Sequence, residues 1–451
     1  MIKNICCIGA GYVGGPTMAV IAEKCPDINI TLVDTNPDKI ASWNGDLDNL
    51  PVYEPGLKEI ISKVRGKNLF FSTKIEENIE NSEMIFIAVN TPTKTSGEGA
   101  GMAADLKYVV ACAEQIAHSS KSDKIVIEKS TLPVRTAEKI KEILIKKGNK
   151  GIRFEILSNP EFLAEGTAIK DLYKSDRVLI GGDNTKTGKI AVKELVKIYR
   201  RWIPKKKILT TNVWSSELAK LASNAMLAQR ISSINSLSAL SEATNADIDE
   251  VAKAIGMDKR IGPDFLKVSP GFGGSCFKKD ILNLVYLCRF YKLEEVAEYW
   301  IQVLYINDYQ RDRIINKVTE YFLKNNIDNK IAILGWSFKK NTNDSRESSS
   351  IYITSKLLSR GFSVNIYDPL ITTEKVYFDL KEFNKANSQK TDNISPNNIK
   401  VYESLDKIIE ETDILVILTE WDEFKSLQKK SKKTIFDFRN ILKKAPNIYK
   451  F

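Results

Sequence analysis

Four groups of residues in this sequence have types and spacings that could do chemistry. In GFGGSCFKKD, Gly271 to Asp280, Cys276 sits on a glycine-rich turn with Lys278, Lys279 and Asp280 just after it. Sulfur attacks as the thiolate, which nearby cations and the amides at a helix start favour. The apolar run Ile281 to Leu287 predicts a helix whose N-terminus lies near Cys276, and the glycines let backbone approach a ligand closely. Taken alone, such a cysteine is more often a small buried hydrophobe. Lys220 and Asn224 are four residues apart, hence on one helix face beside apolar Leu221 and Ala222. An amine and an amide so placed either donate to a developing oxyanion or line a solvated helix edge. Glu161 and Glu165 stand in SNPEFLAEG, Ser158 to Gly166. Its Asn-Pro and terminal Gly make this a loop, so neither need be an ordinary helix-surface charge, although local sequence alone favours that reading. The fourth group is Gly9, Gly11 and Gly14 in GAGYVGG, between an apolar strand Asn4 to Ile8 and a helix from Pro16 to about Glu23.

The elements that position these residues alternate strand and helix. A second strand, Ile30 to Val33, ends in Asp34, placed to accept from an adenosine ribose and to repel a 2′-phosphate, so NAD rather than NADP is expected. Strands follow at Asn68 to Ser72, Met84 to Val89, Lys124 to Glu128 and Phe154 to Leu157. The strands before NTPT (Asn90 to Thr93) and KSTLPV (Lys129 to Val134) deliver hydroxyls and amides to the carboxyl edge of a parallel sheet, where ligands bind in this architecture. From Trp214 to Ala246, Leu218, Leu221, Ala222, Ala225, Met226, Ile231, Ile234, Leu237 and Leu240 recur mostly at three and four residue steps, which predicts one long amphipathic helix. Such a helix could connect two nucleotide-binding lobes or form a dimer interface. A second nucleotide-binding unit begins near Asn329, with strand Lys330 to Leu334, helix Ile351 to Leu358 and strand Ser363 to Tyr367 closing on Asp368. It lacks the full glycine pattern, so a different nucleotide is expected there, with Lys339 and Arg346 supplying positive charge. Thr372 to Lys400 reads as a polar, irregular insertion, Ile414 to Thr419 as a strand, and Thr434 to Phe438 as the last strand, with Arg439 at its edge.

Bulk properties narrow the function classes. A chain of 451 residues exceeds one core and implies two or three domains. The formal charge of +10 could suggest nucleic acid or a membrane surface, yet the lysines are dispersed and the clusters at Lys205 to Lys207 and Lys429 to Lys433 are short. An anionic small substrate is the expected partner, with no nucleic acid and no membrane. No apolar stretch is long enough to span a bilayer and no signal peptide is visible. Six cysteines without regular spacing then imply reduced thiols and a cytoplasmic protein. The single histidine, His118, excludes most histidine-based zinc sites, so the chemistry is expected to run without a metal.

Taken in order, GAGYVGGPT, NTPTKT, KSTLPVR, SNPEFLAEG, the Lys220 and Asn224 helix, GFGGSCFKKD and FKKNTNDSRESSS resemble the UDP-glucose/GDP-mannose dehydrogenase family. Stretches such as EPGLKEI, RGKNLFFST and CFKKDILNLVYLC are similar to the UDP-glucose 6-dehydrogenases of the eukaryotic, animal type in particular. The resemblance implies an α/β chain with two Rossmann-like, doubly wound parallel-sheet domains joined by a long central helix and helical domain. The expected division is an NAD-binding domain over 1–211, a central helical domain with dimer interface and cysteine loop over 212–325, and a UDP-sugar-binding domain over 326–451. It implies oxidation of UDP-glucose to UDP-glucuronate with two NAD per sugar, through a thiohemiacetal and then a thioester on Cys276.

Residue by residue, the resemblance makes Glu161 the acid/base group, acting through water with Thr131, and Lys220 and Asn224 the oxyanion donors. Asp280 orients the hydrolytic water or Lys220. NAD is held by Gly9, Gly11, Tyr12, Val13, Gly14, Asp34, Lys39, Val89, Asn90, Thr91, Ser130, Thr131, Glu165 and Arg346. The UDP-sugar is surrounded by Glu161, Phe162, Leu163, Lys220, Asn224, Arg260, Phe265, Lys267, Phe272, Gly273, Phe277, Phe338, Lys339 and Arg439. Arg260 is expected from a neighbouring subunit, which makes a dimer the minimum assembly; a hexamer and feedback by UDP-xylose through the Thr131 loop are further family expectations. The sequence departs from the family at FDFRN, where glycine usually precedes the arginine, so Phe438 is expected to crowd the substrate pocket or shift Arg439. Trp336 and Ser337 likewise replace more usual residues before Phe338.

Overall fold

The computed structural model describes residues 2–387, 395 and 397–451. The chain forms two compact units, Met1–Ser223 and Asn224–Phe451. In the first, β1 (Asn4–Ile8), β2 (Asn29–Val33), β3 (Leu69–Ser72), β4 (Met84–Ile87), β5 (Lys124–Glu128), β6 (Phe154–Ser158), β7 (Val178–Gly181) and β8 (Ile208–Thr211) make one sheet in the order β3-β2-β1-β4-β5-β6-β7-β8. Pairing is parallel throughout except between β6 and β7. The first six positions have the strand order of a dinucleotide-binding sheet, whose crevice opens where β1 pairs with β2 on one side and β4 on the other. Strands buried on both faces read as continuous apolar runs, and NICCI and MIFI are such runs, buried except for half-buried Asn4. Helix Gly14–Lys24 packs on this sheet with Met18, Ala19, Val20 and Ile21 fully buried.

The second unit repeats the architecture. Strands β9 (Lys330–Leu334), β10 (Ser363–Tyr367), β11 (Ile399–Val401), β12 (Ile414–Ile417), β13 (Thr434–Asp437) and β14 (Ile448–Tyr449) form an all-parallel sheet in the order β11-β10-β9-β12-β13-β14. This is the same 3-2-1-4-5-6 topology, generated by a segment without the N-terminal glycine pattern.

The long helix expected from Trp214 runs from Val213 to Thr244. Its apolar stripe divides: Leu221, Ala225 and Ile234 are buried, whereas Leu218, Met226, Leu237 and Leu240 are exposed. A second helix of equal length, Glu294–Asn325, is not foreshadowed by the patterns above. Its buried face carries Asn307, Gln310 and Arg311 between Leu304 and Ile314, which breaks the apolar periodicity.

Two expectations are corrected. The segment from Thr372 is not wholly irregular, since Thr373–Ala386 is a helix that buries Val376 and Leu380, capped by the Thr372 hydroxyl on the Lys375 N–H. Ile399–Val401 then adds the edge strand, and the rest of that stretch, 388–394 and 396, lies outside the described residues. Thr434–Asp437 is also not the last strand, because β14 follows it and pairs alongside.

Candidate active site

The turn after β1 has the shape a dinucleotide needs. Gly9 has φ +109, and a Cβ there would lie 2.4 Å from the Ala88 carbonyl oxygen. At Gly14 a Cβ would lie 2.1 Å from the Gly9 carbonyl oxygen, so the helix start can close on the turn only without one. Gly11 faces open space, with nothing within 4 Å of a Cβ position, where backbone can meet a pyrophosphate. Tyr12 and Val13 lead into the helix, whose N-terminal N–H groups suit an anion. At the tip of β2, Asp34 Oδ2 accepts from Ala10 N at 3.1 Å and from Lys39 Nζ at 2.9 Å, and Oδ1 accepts from Asn36 N at 3.0 Å. Burial pushes the Asp34 carboxyl up, but Lys39 and the backbone donors outweigh it and hold it below the usual range. This is an ionised acid at the ribose position, and the residues present fit NAD.

The loops at the carboxyl ends of β4 and β5 are tied together. Ser130 Oγ donates to the Val89 carbonyl at 2.6 Å, and Thr91 Oγ1 donates to the Thr131 carbonyl at 3.1 Å, with Asn90 exposed between them. Beside them Glu161 is fixed by donors on both oxygens. Oε1 accepts from Phe162 N at 2.8 Å and Leu163 N at 3.1 Å, and Oε2 meets Lys129 Nζ at 2.7 Å. Burial would raise the Glu161 carboxyl, yet Lys129 first and then the backbone donors and Lys220 hold it below its ordinary value. Glu161 is therefore an ionised acceptor. Glu165, half-buried, occupies the same loop, whose continuation is anchored by Glu54 accepting from Gly166 N and Ala168 N. Lys220, buried on the long helix, has its ammonium 5.3 Å from the Phe162 ring centre, and the Arg177 guanidinium lies 3.9 Å from the same ring.

In the second unit, Cys276 is the N-cap of helix Phe277–Phe290. Of the six cysteines it is the exposed one, and the other five are buried, so the buried-hydrophobe reading fails for Cys276. The loop before it depends on Gly274, at φ +82, where a Cβ would come within 3.0 Å of the Phe338 ring. At Gly273 a Cβ would meet the Glu347 carbonyl oxygen at 2.6 Å, so the loop lies directly against the backbone after Arg346. Phe272 and Phe277 pack edge to face at 5.7 Å. Behind the cysteine, Asp280 Oδ2 accepts from Asn224 Nδ2 at 2.6 Å, both side chains being buried.

The residues that hold this loop are ones sequence patterns did not single out. Asn307 Oδ1 accepts from Phe272 N at 2.8 Å, while Asn307 Nδ2 and Arg311 Nη2 both donate to the Phe272 carbonyl, at 3.2 and 2.9 Å. Arg230 donates to the carbonyls of Ile261, Gly262 and Asp264, clamping the loop that carries Arg260 and Phe265. The available signal was polar residues at helical spacing within an apolar stripe, which marks buried hydrogen bonding rather than a solvent face.

The expected sugar-site residues fall on several loops. Arg260 is almost wholly exposed, at 89% of its side chain, and is paired with Asp258. Phe265 is exposed at φ +62. Lys267 is held below the ordinary lysine value, first by burial and then by the Arg439 charge. Arg439 pairs with Glu420, and burial lowers it to about 10. The Arg439 charge thus acts on Lys267, as do the Asp249 and Asp437 carboxylates, while Arg439 itself is paired with Glu420. Lys339 lies 5.6 Å from the Phe338 ring centre, and Arg346 makes a bidentate pair with Asp344 at 2.9 and 2.6 Å. Phe438 does not crowd a pocket: its ring is fully buried in the sheet core, against Phe436 at 5.8 Å and Phe451 at 4.9 Å.

Asp368 ends β10 as Asp34 ends β2, but its carboxylate is spent internally. Its Oδ2 accepts from Trp336 N at 2.7 Å, Ser337 N at 3.0 Å, Ser337 Oγ at 2.8 Å and Trp421 Nε1 at 3.1 Å. Trp336 and Ser337 therefore seal the acid that would read a ribose, and the second sheet is built for a ligand other than NAD. Among the described residues no group of three or more His, Cys, Asp or Glu could hold a metal, and no helix is long and apolar enough to cross a membrane.

Residues 3–203 match the NAD binding domain of the UDP-glucose/GDP-mannose dehydrogenase family, residues 214–309 its central domain and residues 332–444 its UDP binding domain. The chain belongs to the UDP-glucose/GDP-mannose dehydrogenase family. It is 55% identical over 448 residues to a UDP-glucose 6-dehydrogenase of Mus musculus, covering 98% of this chain and 90% of that one. It is 54% identical over 446 residues to a UDP-glucose 6-dehydrogenase of Drosophila melanogaster, covering 97% and 93%. Its fold is similar to a UDP-glucose dehydrogenase structure from the archaeon Pyrobaculum islandicum, with a TM-score of 0.84 and 29% identity, covering 100% of this chain and 97% of that one. The cofactor of the first unit is NAD, in agreement with the Gly11 opening and the Asp34 carboxylate.

Proposed function

We propose that this chain oxidises UDP-glucose to UDP-glucuronate by a four-electron reaction with Cys276 as nucleophile. The observation that carries the reading is the exposure of Cys276 alone among six cysteines, at a helix N-terminus on a loop that cannot carry side chains at Gly273 and Gly274. The extended identity to UDP-glucose 6-dehydrogenases supports the choice of sugar nucleotide. The glycine turn and Asp34 would hold NAD, which would supply the hydride acceptor, two molecules per sugar.

The chain's own groups do the rest. Glu161, an ionised acceptor, takes the proton of the C6 alcohol through a water shared with Thr131 as the alcohol becomes an aldehyde. The Cys276 sulfur then bonds to C6, and the resulting oxyanion is stabilised by Lys220 and Asn224. Loss of the second hydride leaves a thioester, and water oriented by Asp280 cleaves the C–S bond, returning the thiolate and giving the carboxylate. Lys267 and Arg439 bind the diphosphate. Exposed Arg260 is assigned to the sugar site of a second copy, so a dimer is the smallest active assembly, and the exposed Met226, Leu237 and Leu240 support self-association.

The test is the NADH yield per UDP-glucose consumed. Two NADH with no free aldehyde is expected. One NADH with released aldehyde would remove Cys276 from the centre of the reaction, and a clear preference for GDP-mannose or UDP-N-acetylglucosamine would overturn the substrate.

A further inference from the structure

Lys129 is the first residue after β5 and its side chain is 3% exposed. Its ammonium lies 2.7 Å from Glu161 Oε2, 3.3 Å from Asn159 Oδ1 and 3.4 Å from the Tyr199 hydroxyl. The cage is built: Tyr199 OH donates to Asn159 Oδ1 at 2.6 Å, and Asn159 Nδ2 donates to the Leu179 carbonyl at 2.8 Å. Taking an ammonium out of water costs several kcal/mol, on the order of what only a close, well-made ion pair recovers. Among the described residues its carboxylate partner is Glu161, the acid to which the proposed reaction gives a proton-accepting role.

We propose that Lys129 is a positioning residue for the oxidation, fixing through its buried ion pair both the orientation and the charge of the Glu161 carboxylate. The proposal rests on the role given to Glu161 above. With Oε1 taken by Phe162 N and Leu163 N, the Oε2 atom faces Lys129 and, at 3.5 Å, the Thr17 hydroxyl. A carboxylate so surrounded accepts a proton and has none to give, so it serves as a base in the alcohol step. The titratable groups around the pair agree. Tyr199 is raised by burial and keeps its proton, Cys7 on β1 is pushed by burial up to about 12, and Lys220 adds a second positive charge. Glu161 is thereby the anion of this cluster at neutral pH.

The experiment is the pH dependence of kcat in Lys129→Met, beside Lys129→Arg, Lys129→Gln and Glu161→Gln. Loss of the ammonium lets burial raise Glu161, so the acidic limb moves to higher pH. A shift of about one unit, hence about tenfold slower turnover below the limb, is expected from removing an adjacent opposite charge. Lys129→Arg, which keeps the charge, restores the limb position. KM for UDP-glucose and NAD binding stay within about threefold, and the double variant Lys129→Met/Glu161→Gln is no slower than Glu161→Gln alone, because the two act through one group. If Lys129→Met does not fold, Lys129→Gln, neutral but still a donor, supplies the same comparison. A slow variant with an unmoved limb, or a further loss of rate in the double variant, overturns the proposal while leaving the assignment of Glu161 intact. Full turnover in Glu161→Gln overturns that assignment itself.

Discussion

The Asn224 amide donates to the Asp280 carboxylate across 2.6 Å, linking the long helix Val213–Thr244 to the helix that starts at Cys276. Both side chains are buried, so the bond works in a low-dielectric setting where a charged acceptor needs its donors. Asn224→Ala removes one of them. A cost of about 1.5–3 kcal/mol is expected in urea unfolding, the range for hydrogen bonds to charged groups, together with slower turnover from the lost oxyanion donor. Unchanged stability would show that the bond adds nothing to the folded state.

The exposure of Cys276 alone gives a chemical test independent of turnover. Under native conditions iodoacetamide should modify one thiol per chain, found at Cys276 by peptide mass mapping, and UDP-glucose should slow it. Cys276→Ser should abolish both the labelling and the complete oxidation while NAD binding persists. Rapid modification of Cys6, Cys7 or Cys112 in folded protein would contradict their burial.

At the cofactor end, Asp34 holds Lys39 at 2.9 Å. Asp34→Ser removes the charge that repels a 2′-phosphate and releases a lysine that can pair with one. The NADP/NAD preference should rise by about tenfold or more, equivalent to ~1.4 kcal/mol, read as the ratio of kcat/KM values. An unaltered ratio would mean Asp34 does not face the ribose.

The first six strands of the first sheet were legible because their signals are local: a glycine turn, a strand ending in Asp34, and short apolar runs; β7 and β8 were not singled out. The glycine-rich loop around Cys276 was legible for the same reason, since Gly271, Gly273 and Gly274 lie beside it in sequence, but the exposure of the thiol was not, because local sequence favoured a buried cysteine. What was not legible is held by distance. Lys129 reads as one more lysine until β6 and helix Lys186–Tyr199 bring Asn159, Glu161 and Tyr199 around it. Phe438 reads as an intrusion because the family usually has glycine before the arginine, but alternation along the strand end sends its ring into the core. The helix Thr373–Ala386 was hidden by polar residues on its outer face, with burial confined mainly to Val376, Asp379, Leu380 and Asn384.

The loop behind Cys276 offers a test of residues the sequence did not announce. Asn307 serves both the N–H and the carbonyl of Phe272, at 2.8 and 3.2 Å. Asn307→Ala leaves the N–H without that acceptor at a buried site. A loss of about 1–3 kcal/mol is expected, together with a lower rate of Cys276 alkylation or turnover as the loop loses its register. A variant with wild-type stability and rate would show that Arg311 alone, donating to the same carbonyl, suffices.

Glu128, at the end of β5, is fully buried, and neither of its oxygens accepts a hydrogen bond from any described N–H or hydroxyl. Its neighbour is Glu217, which accepts from Arg135 N at 2.7 Å and Ala137 N at 2.9 Å and so anchors the start of helix Thr136–Lys147. Burial first, and then the Glu217 charge, raise Glu128 well above the ordinary carboxyl value, so the two acids hold one proton between them. The sign follows from proton binding: the folded state keeps a proton that the unfolded chain releases above its ordinary carboxyl pKa. Stability from this pair is therefore complete below that value and lost as pH rises through the folded one. Glu128→Gln supplies a permanent donor to Glu217 with no proton to lose. The wild-type fall in melting temperature as pH rises above the ordinary carboxyl range should be reduced in the variant, which should equal or exceed the wild type at the upper end. An identical slope in both proteins would mean that Glu128 is already ionised in the fold, and that Glu217 holds the helix start without sharing a proton.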